Sequence, residues 1–166
     1  MMAYCCGYES PIGKMIMRSD GHFLTELDFM DEQVELTACT DDSALPVFAL
    51  ARRWLDDYFQ GGRPDFMLPI SMAGTPFQHQ VWEMLGKIPY GTTVSYGEIA
   101  AAMAKRLAKP RMSAQAVGSA VGRNPIAIIV PCHRVVGKDG SLTGYAGGLW
   151  RKEYLLALER RQEVLR

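Results

Sequence analysis

The residues best placed to do chemistry are the neighbours Cys132 and His133. They follow Ile126-Ala127-Ile128-Ile129-Val130, a short apolar run that reads as a strand or extended segment leading out of the core. A cysteine delivered in this way beside a histidine is a candidate nucleophile. A free thiol titrates near ~8.5, so only a small fraction is thiolate at neutral pH, and a base or positive surroundings must activate it. Adjacent residues point in different directions, so a relay from Cys132 to His133 calls for a bridging water. The same two residues equally fit an inert buried cysteine beside a satisfied histidine. Glu159 bears on the choice. In the helix expected from Leu149 to Gln162, Leu155, Leu156 and Glu159 share an apolar face. A carboxylate there needs a partner: orienting His133 is one role, and pairing with a surface arginine at the core edge is the other. Between the two, Gly137, Gly140, Gly144, Gly147 and Gly148 punctuate a loop holding Thr143, Tyr145 and Ala146. Such a loop brings backbone N–H groups to a flat ligand, or is simply a run of turns.

The elements that must position these residues lie upstream. Ser95 and Glu98 have the spacing of a capping box, which starts a helix running from Tyr96 through Ala104. Lys105 to Met112 is a basic connection. Ser113 can cap a second helix over Ala114 to Gly122, built almost wholly of Ala, Gly, Ser, Val and Gln. Two capped helices with a short basic connection suggest a helix-turn-helix-like unit. The small side chains Ala114, Ala116 and Gly118 permit close approach to the backbone, by a ligand or by a neighbouring helix. Another helix is expected over Phe77 to Ile88, with Phe77, Val81, Trp82 and Leu85 on one face. The front of the chain reads as β-rich. Lys14 to Ser19 and His22 to Phe29 form a hairpin around Ser19-Asp20-Gly21, Ser10-Pro11-Ile12-Gly13 is a turn, and a third strand is expected at Val34 to Thr37. A helix over Leu45 to Phe59 follows, stopped by Gly61-Gly62-Arg63-Pro64.

Composition narrows the classes. The chain has 166 residues, 48% hydrophobic and 22% charged, which is ordinary globular composition and argues against disorder. No apolar run approaches the roughly 18 residues of a membrane span. The first residues lack a charged segment followed by an apolar one, so no secretory signal is expected. The formal net charge of zero conceals a split: residues 1–74 hold 5 Lys and Arg against 12 Asp and Glu, and residues 75–166 hold 13 against 6. An acidic front and a basic back point to an anionic partner for the back, or to two oppositely charged solvated faces. Cys5, Cys6, Cys39 and Cys132 have no disulfide-scaffold or zinc spacing, and His22 and His79 make no ligand pattern with them. A cytoplasmic location, no metal and no cofactor are expected.

Pro131-Cys132-His133-Arg134-Val135-Val136, preceded by Asn124-Pro125 and followed by Thr143-Gly144-Tyr145-Ala146-Gly147-Gly148 and Arg151-Lys152-Glu153, resembles the alkylguanine-DNA alkyltransferases. The resemblance is strong over residues 75–160, including Thr92-Thr93-Val94-Ser95-Tyr96-Gly97-Glu98, and looser over residues 8–70. It implies an α+β protein with a ribonuclease H-like N-terminal α/β domain over 1–70, lacking that activity. A mainly helical domain over 75–166 would follow, with a helix-turn-helix-like DNA-binding unit. It implies a monomer that binds duplex DNA in the minor groove, flips out O6-alkylguanine (and by extension O4-methylthymine) and moves the alkyl group irreversibly onto Cys132. By the same resemblance, His133 takes the thiol proton through water, Glu159 orients His133, and Asn124 braces the turn before the cysteine. Tyr96 donates to the base, while Val135, Tyr145, Ala146 and Ala127 line the pocket. Ser113, Ala114, Gln115, Ala116 and Gly118 meet the groove, and Arg106, Lys109 and Arg111, with Lys105, hold phosphates. Gln115 stands where many members carry an arginine that fills the space of the flipped base. Ala127 is bulkier in some relatives. Three other readings are a recognition module without transfer, a helix-turn-helix regulator with a structural cysteine, and a cysteine hydrolase with a Cys-His-Glu triad.

Overall fold

The computed structural model describes residues 3–30 and 40–164. The chain divides into two compact units, 1–73 and 74–166.

In the first unit, strands β1 (Tyr4–Ser10), β2 (Gly13–Ser19), β3 (Leu24–Phe29) and β4 (Thr40–Asp41) form one sheet in the order β3-β2-β1-β4. β1 and β2 are antiparallel from Tyr4 opposite Ser19 to Ser10 opposite Gly13, and β4 runs parallel to β1. The expected hairpin is the β2–β3 pair, but β3 begins two residues late. The Asp20 carboxylate accepts from the backbone N–H groups of His22 and Phe23 at 2.9 and 2.8 Å, which draws both residues into the turn. β1 has no alternating apolar signature, and pairing with β2 is what makes it a strand. The strand expected at Val34 to Thr37 lies outside the described residues. Helix α1 (Pro46–Phe59) starts on a proline at its first turn and lays Val47, Phe48, Ala51, Leu55 and Tyr58 against β1, β2 and β3.

The second unit holds α2 (Pro76–Gly86), β5 (Val94–Ser95), α3 (Tyr96–Arg106), α4 (Ala114–Gly122), β6 (Val135–Val136) and α5 (Leu149–Val164). Capping boxes open α2, through Thr75 and Gln78, and α3, through Ser95 and Glu98. The Ser113 hydroxyl accepts from the N–H groups of Gln115 and Ala116 and starts α4. α2, α3 and α4 pack on one another, and the buried Trp82 indole donates to the Ala120 carbonyl at 2.9 Å, fastening α4 to α2. β5 and β6 pair in parallel, Val94 with Val135 and Ser95 with Val136. This two-residue ladder ties the start of α3 to the chain just after Cys132-His133-Arg134, which forms a single 3₁₀ turn.

The apolar run over residues 126–130 is not a strand. It is a chain of tight turns in which Ile128 has φ 71°, rare for a β-branched residue. Two of its backbone bonds close within the run: Ile129 N–H donates to the Ala127 carbonyl at 2.8 Å and Val130 N–H to the Ile126 carbonyl at 3.1 Å. Ile126, Ala127, Ile128 and Val130 are buried in this turned form rather than as a strand.

Candidate active site

Cys132 is reached through two successive three-residue turns. The first centres on Ile128. The second centres on Pro131 (φ −83°, ψ 65°), where Cys132 N–H donates to the Val130 carbonyl at 2.8 Å. Asn124 clamps this strained approach from both ends: its amide donates to the Val130 carbonyl at 2.8 Å, and its oxygen accepts from Ile126 N–H at 3.0 Å. A bent, locally bonded segment places a cysteine more rigidly than a free loop would. Cys132 is partly exposed and lies outside any disulfide.

His133 is fully buried, and its Nε2 lies 2.6 Å from Oε2 of Glu159, itself 1% exposed. Glu159 also accepts from Arg134 Nε at 2.8 Å, Arg134 Nη2 at 3.2 Å and the Gly91 N–H at 3.1 Å. Burial alone would raise this carboxyl, but the bonds and charge of His133 and Arg134 outweigh it and hold it down to about 2. Glu159 is therefore ionised and can only accept. Nε2 of His133 must carry the hydrogen, and the lone pair of the neutral ring sits on Nδ1. Burial pushes the imidazole below its ordinary value; the bond to Glu159 offsets this in part, while Arg134 and Lys152 push it further down. His133 is thus a neutral base at physiological pH.

The glycine-punctuated loop is held from below by the first turn of α5. Lys152 is fully buried, and its ammonium donates to the carbonyls of Thr143 at 3.0 Å and Gly144 at 3.2 Å. The Tyr96 hydroxyl donates to the same Thr143 carbonyl at 3.1 Å, and the Lys152 ammonium lies 5.8 Å from the Tyr96 ring centroid. Arg151 donates to the Gly147 carbonyl at 2.9 Å. Gly144 (φ +59°) and Gly148 (φ +95°) occupy left-handed backbone that suits glycine. Burial pushes the Tyr96 phenol up and the Lys152 ammonium down, and negative charge on Cys132 raises both. Tyr96, Lys152 and Cys132 therefore share one electrostatic neighbourhood. Val135 and Ala127 are buried, Tyr145 is half-buried and Ala146 is exposed.

Arg134, Lys152 and Arg151 as structural anchors, and Gly91 as a donor to Glu159, escape a reading of the sequence. One signal did exist for two of them: basic residues in the first turn of a helix oppose its dipole, so Arg151 and Lys152 must have other partners.

On α4, Ala114, Gln115, Ala116 and Ser119 face outward while Val117, Ala120 and Val121 are buried, leaving a low, neutral outer face. A methyl group at Gly118 would meet only the Tyr96 ring, at 3.8 Å. Lys105, Lys109 and Arg111 border a groove of about 460 Å³ floored by Gly97, Ala100 and Ala101. The Arg106 guanidinium lies 3.7 Å from the Glu83 carboxylate. Among the described residues, no group of three or more His, Cys, Asp or Glu could hold a metal ion, and no helix is long and apolar enough to cross a membrane.

The chain is thus a sheet unit followed by a helical unit that carries a capped helix pair, a partly exposed cysteine outside any disulfide and a buried His–Glu–Arg cluster. A family model described as 6-O-methylguanine DNA methyltransferase, ribonuclease-like domain, matches residues 3–72. A second, described as 6-O-methylguanine DNA methyltransferase, DNA binding domain, matches residues 76–161. The methylated-DNA–protein-cysteine methyltransferase of Mycobacterium leprae is 46% identical over 161 residues, covering 97% of this chain and 94% of that one. The crystal structure of Mycobacterium tuberculosis O6-methylguanine methyltransferase superposes with a TM-score of 0.85 at 44% identity, covering 97% of this chain and 94% of that one. The Mycobacterium tuberculosis OGT in complex with DNA superposes at 0.82 and 45% identity, covering 96% and 94%. The chain belongs to the 6-O-methylguanine DNA methyltransferase family.

Proposed function

We propose that this protein repairs alkylated DNA by moving the alkyl group of O6-alkylguanine onto Cys132, once per chain. The observation that carries the reading is a partly exposed thiol followed directly by a buried, neutral histidine whose Nε2 is fixed on an ionised glutamate. Relatives named methylated-DNA–protein-cysteine methyltransferase and a related protein in complex with DNA support it.

In this reading the Cys132 proton passes through a water to Nδ1 of His133. The thiolate attacks the alkyl carbon, the S–C bond forms, and the C–O6 bond breaks with its electron pair passing into the purine. The proton held on His133 passes on to the guanine ring, so charge balances, and the Tyr96 hydroxyl turns from the Thr143 carbonyl to donate to the base as that charge arrives. A thioether is a poor leaving group, so the cysteine is not regenerated. The alkyl carbon is hidden inside a duplex, and the base must be extruded at a cost of about a few kcal/mol. The low face of α4 through Ser113, Ala114, Gln115, Ala116 and Gly118 suits close approach in the minor groove. Lys105, Lys109 and Arg111, with Arg106, hold phosphates without choosing sequence. Val135, Tyr145, Ala146 and Ala127 form the pocket, and the small Ala127 admits alkyl groups larger than methyl.

Cys132→Ser should bind a duplex holding O6-methylguanine more tightly than the unmodified duplex. It should also raise the fluorescence of 2-aminopurine placed at the lesion position. Equal affinity with unchanged fluorescence would refute extrusion.

A further inference from the structure

We propose that Arg134 is a positioning residue of this site: its guanidinium pins the Glu159 carboxylate and its charge keeps His133 neutral, able to accept the Cys132 proton. The inference rests on the alkyl-transfer reading above.

Every nitrogen of the buried guanidinium is engaged. Nε and Nη2 donate to the two oxygens of Glu159, and Nη1 donates to the Ile88 carbonyl at 2.8 Å. The Tyr90 ring centroid lies 5.6 Å from its central carbon. This arrangement fixes the charge count. Glu159 and Arg134 cancel, so the cluster is neutral only while His133 is neutral. Protonating His133 would leave a net positive charge in a buried site, with a second buried cation, Lys152, close by. Without Arg134, the counter-charge to Glu159 would be an imidazolium, and a histidine already protonated cannot take a proton from a thiol. The charged groups that act on His133 are Glu159 and Lys152 from α5 and Arg134 from its own turn. Tyr90, in the loop before β5, lies over the Arg134 guanidinium, and Tyr96 of α3 meets the charge of Cys132. Of these, Arg134 is the fixed cation bonded to the same carboxylate as the imidazole. The Arg134–Glu159 pair also joins the Ile88–Gly91 loop to α5, so the base and the entry to α3 share one anchor.

The test is the titration of His133 by carbon and nitrogen NMR in the wild type, Arg134→Gln and Arg134→Lys. It runs alongside the pH dependence of Cys132 alkylation by an O6-methylguanine duplex. In the wild type, His133 should be neutral at neutral pH with its hydrogen on Nε2. In Arg134→Gln, the acid limb of the rate profile should move up by about 1 pH unit, with a roughly tenfold slower rate below the midpoint. Arg134→Lys keeps the charge but not the fork, so it should keep the wild-type titration and react more slowly at every pH. A protonated His133 in the wild type at neutral pH would overturn the proposal, and needs no variant to fold. Identical titration in the wild type and a folded Arg134→Gln would overturn it too. A duplex that never alkylates Cys132 would refute the functional reading instead, while the NMR titration still reports on Arg134.

Discussion

Replacing Glu159 by glutamine changes no volume and removes one charge. The structure says this costs far more than a surface charge would. Four N–H bonds converge on the carboxylate, from His133, twice from Arg134, and from Gly91. An amide accepts on one oxygen only, and its own N–H groups would face the donors of Arg134. Two routes give the magnitude. The Glu159 carboxyl is held at about 2 against an ordinary value of 4.5, and that difference corresponds to about 3 kcal/mol. Breaking a buried ion pair by removing one partner costs about 3–5 kcal/mol. At 3 kcal/mol, the melting temperature of a unit this size falls by about 12–24 °C. The sign with pH follows from the depressed value. The stabilisation is complete above about 4.5 and drains away as pH falls through about 2. Calorimetry of both chains should show the full gap at neutral pH and a shrinking one in acid. A gap within about 3 °C at neutral pH, or one that does not change with acidification, would refute the reasoning.

Asn124→Ala removes both clamps on the bent segment before Cys132. It should cost about 1–3 kcal/mol by urea unfolding and slow alkyl transfer. Ser113→Ala removes the cap of α4; it should cost about 1 kcal/mol and weaken binding to duplex DNA in a fluorescence titration. Gln115→Arg should tighten DNA binding and speed repair, since a charged side chain fills the space of an extruded base with stronger attraction; unchanged affinity and rate would contradict this.

Features built from a few neighbouring residues were the legible ones. The Ser95–Glu98 box and the Ser113 cap are read from types three residues apart, and both start helices where the spacing puts them. The spacing of Leu155, Leu156 and Glu159 is enough to bring the carboxylate to the buried face of α5. The run at 126–130 misleads because burial and periodicity cannot separate a strand from turns. The deciding partner is the side chain of Asn124, whose bonds sequence pattern does not encode. β1 owes its form to β2 across the sheet. Arg134 and Lys152 look like surface cations in sequence, and only three-dimensional packing shows them buried with carboxylate and carbonyl partners.

The most direct measurement is the intact and peptide mass of the protein after mixing with a duplex carrying a single O6-methylguanine. The account predicts one added methyl on the Cys132 peptide, saturating at one per chain and absent from Cys132→Ser. An unchanged mass, or a methyl group on any other residue, would contradict it.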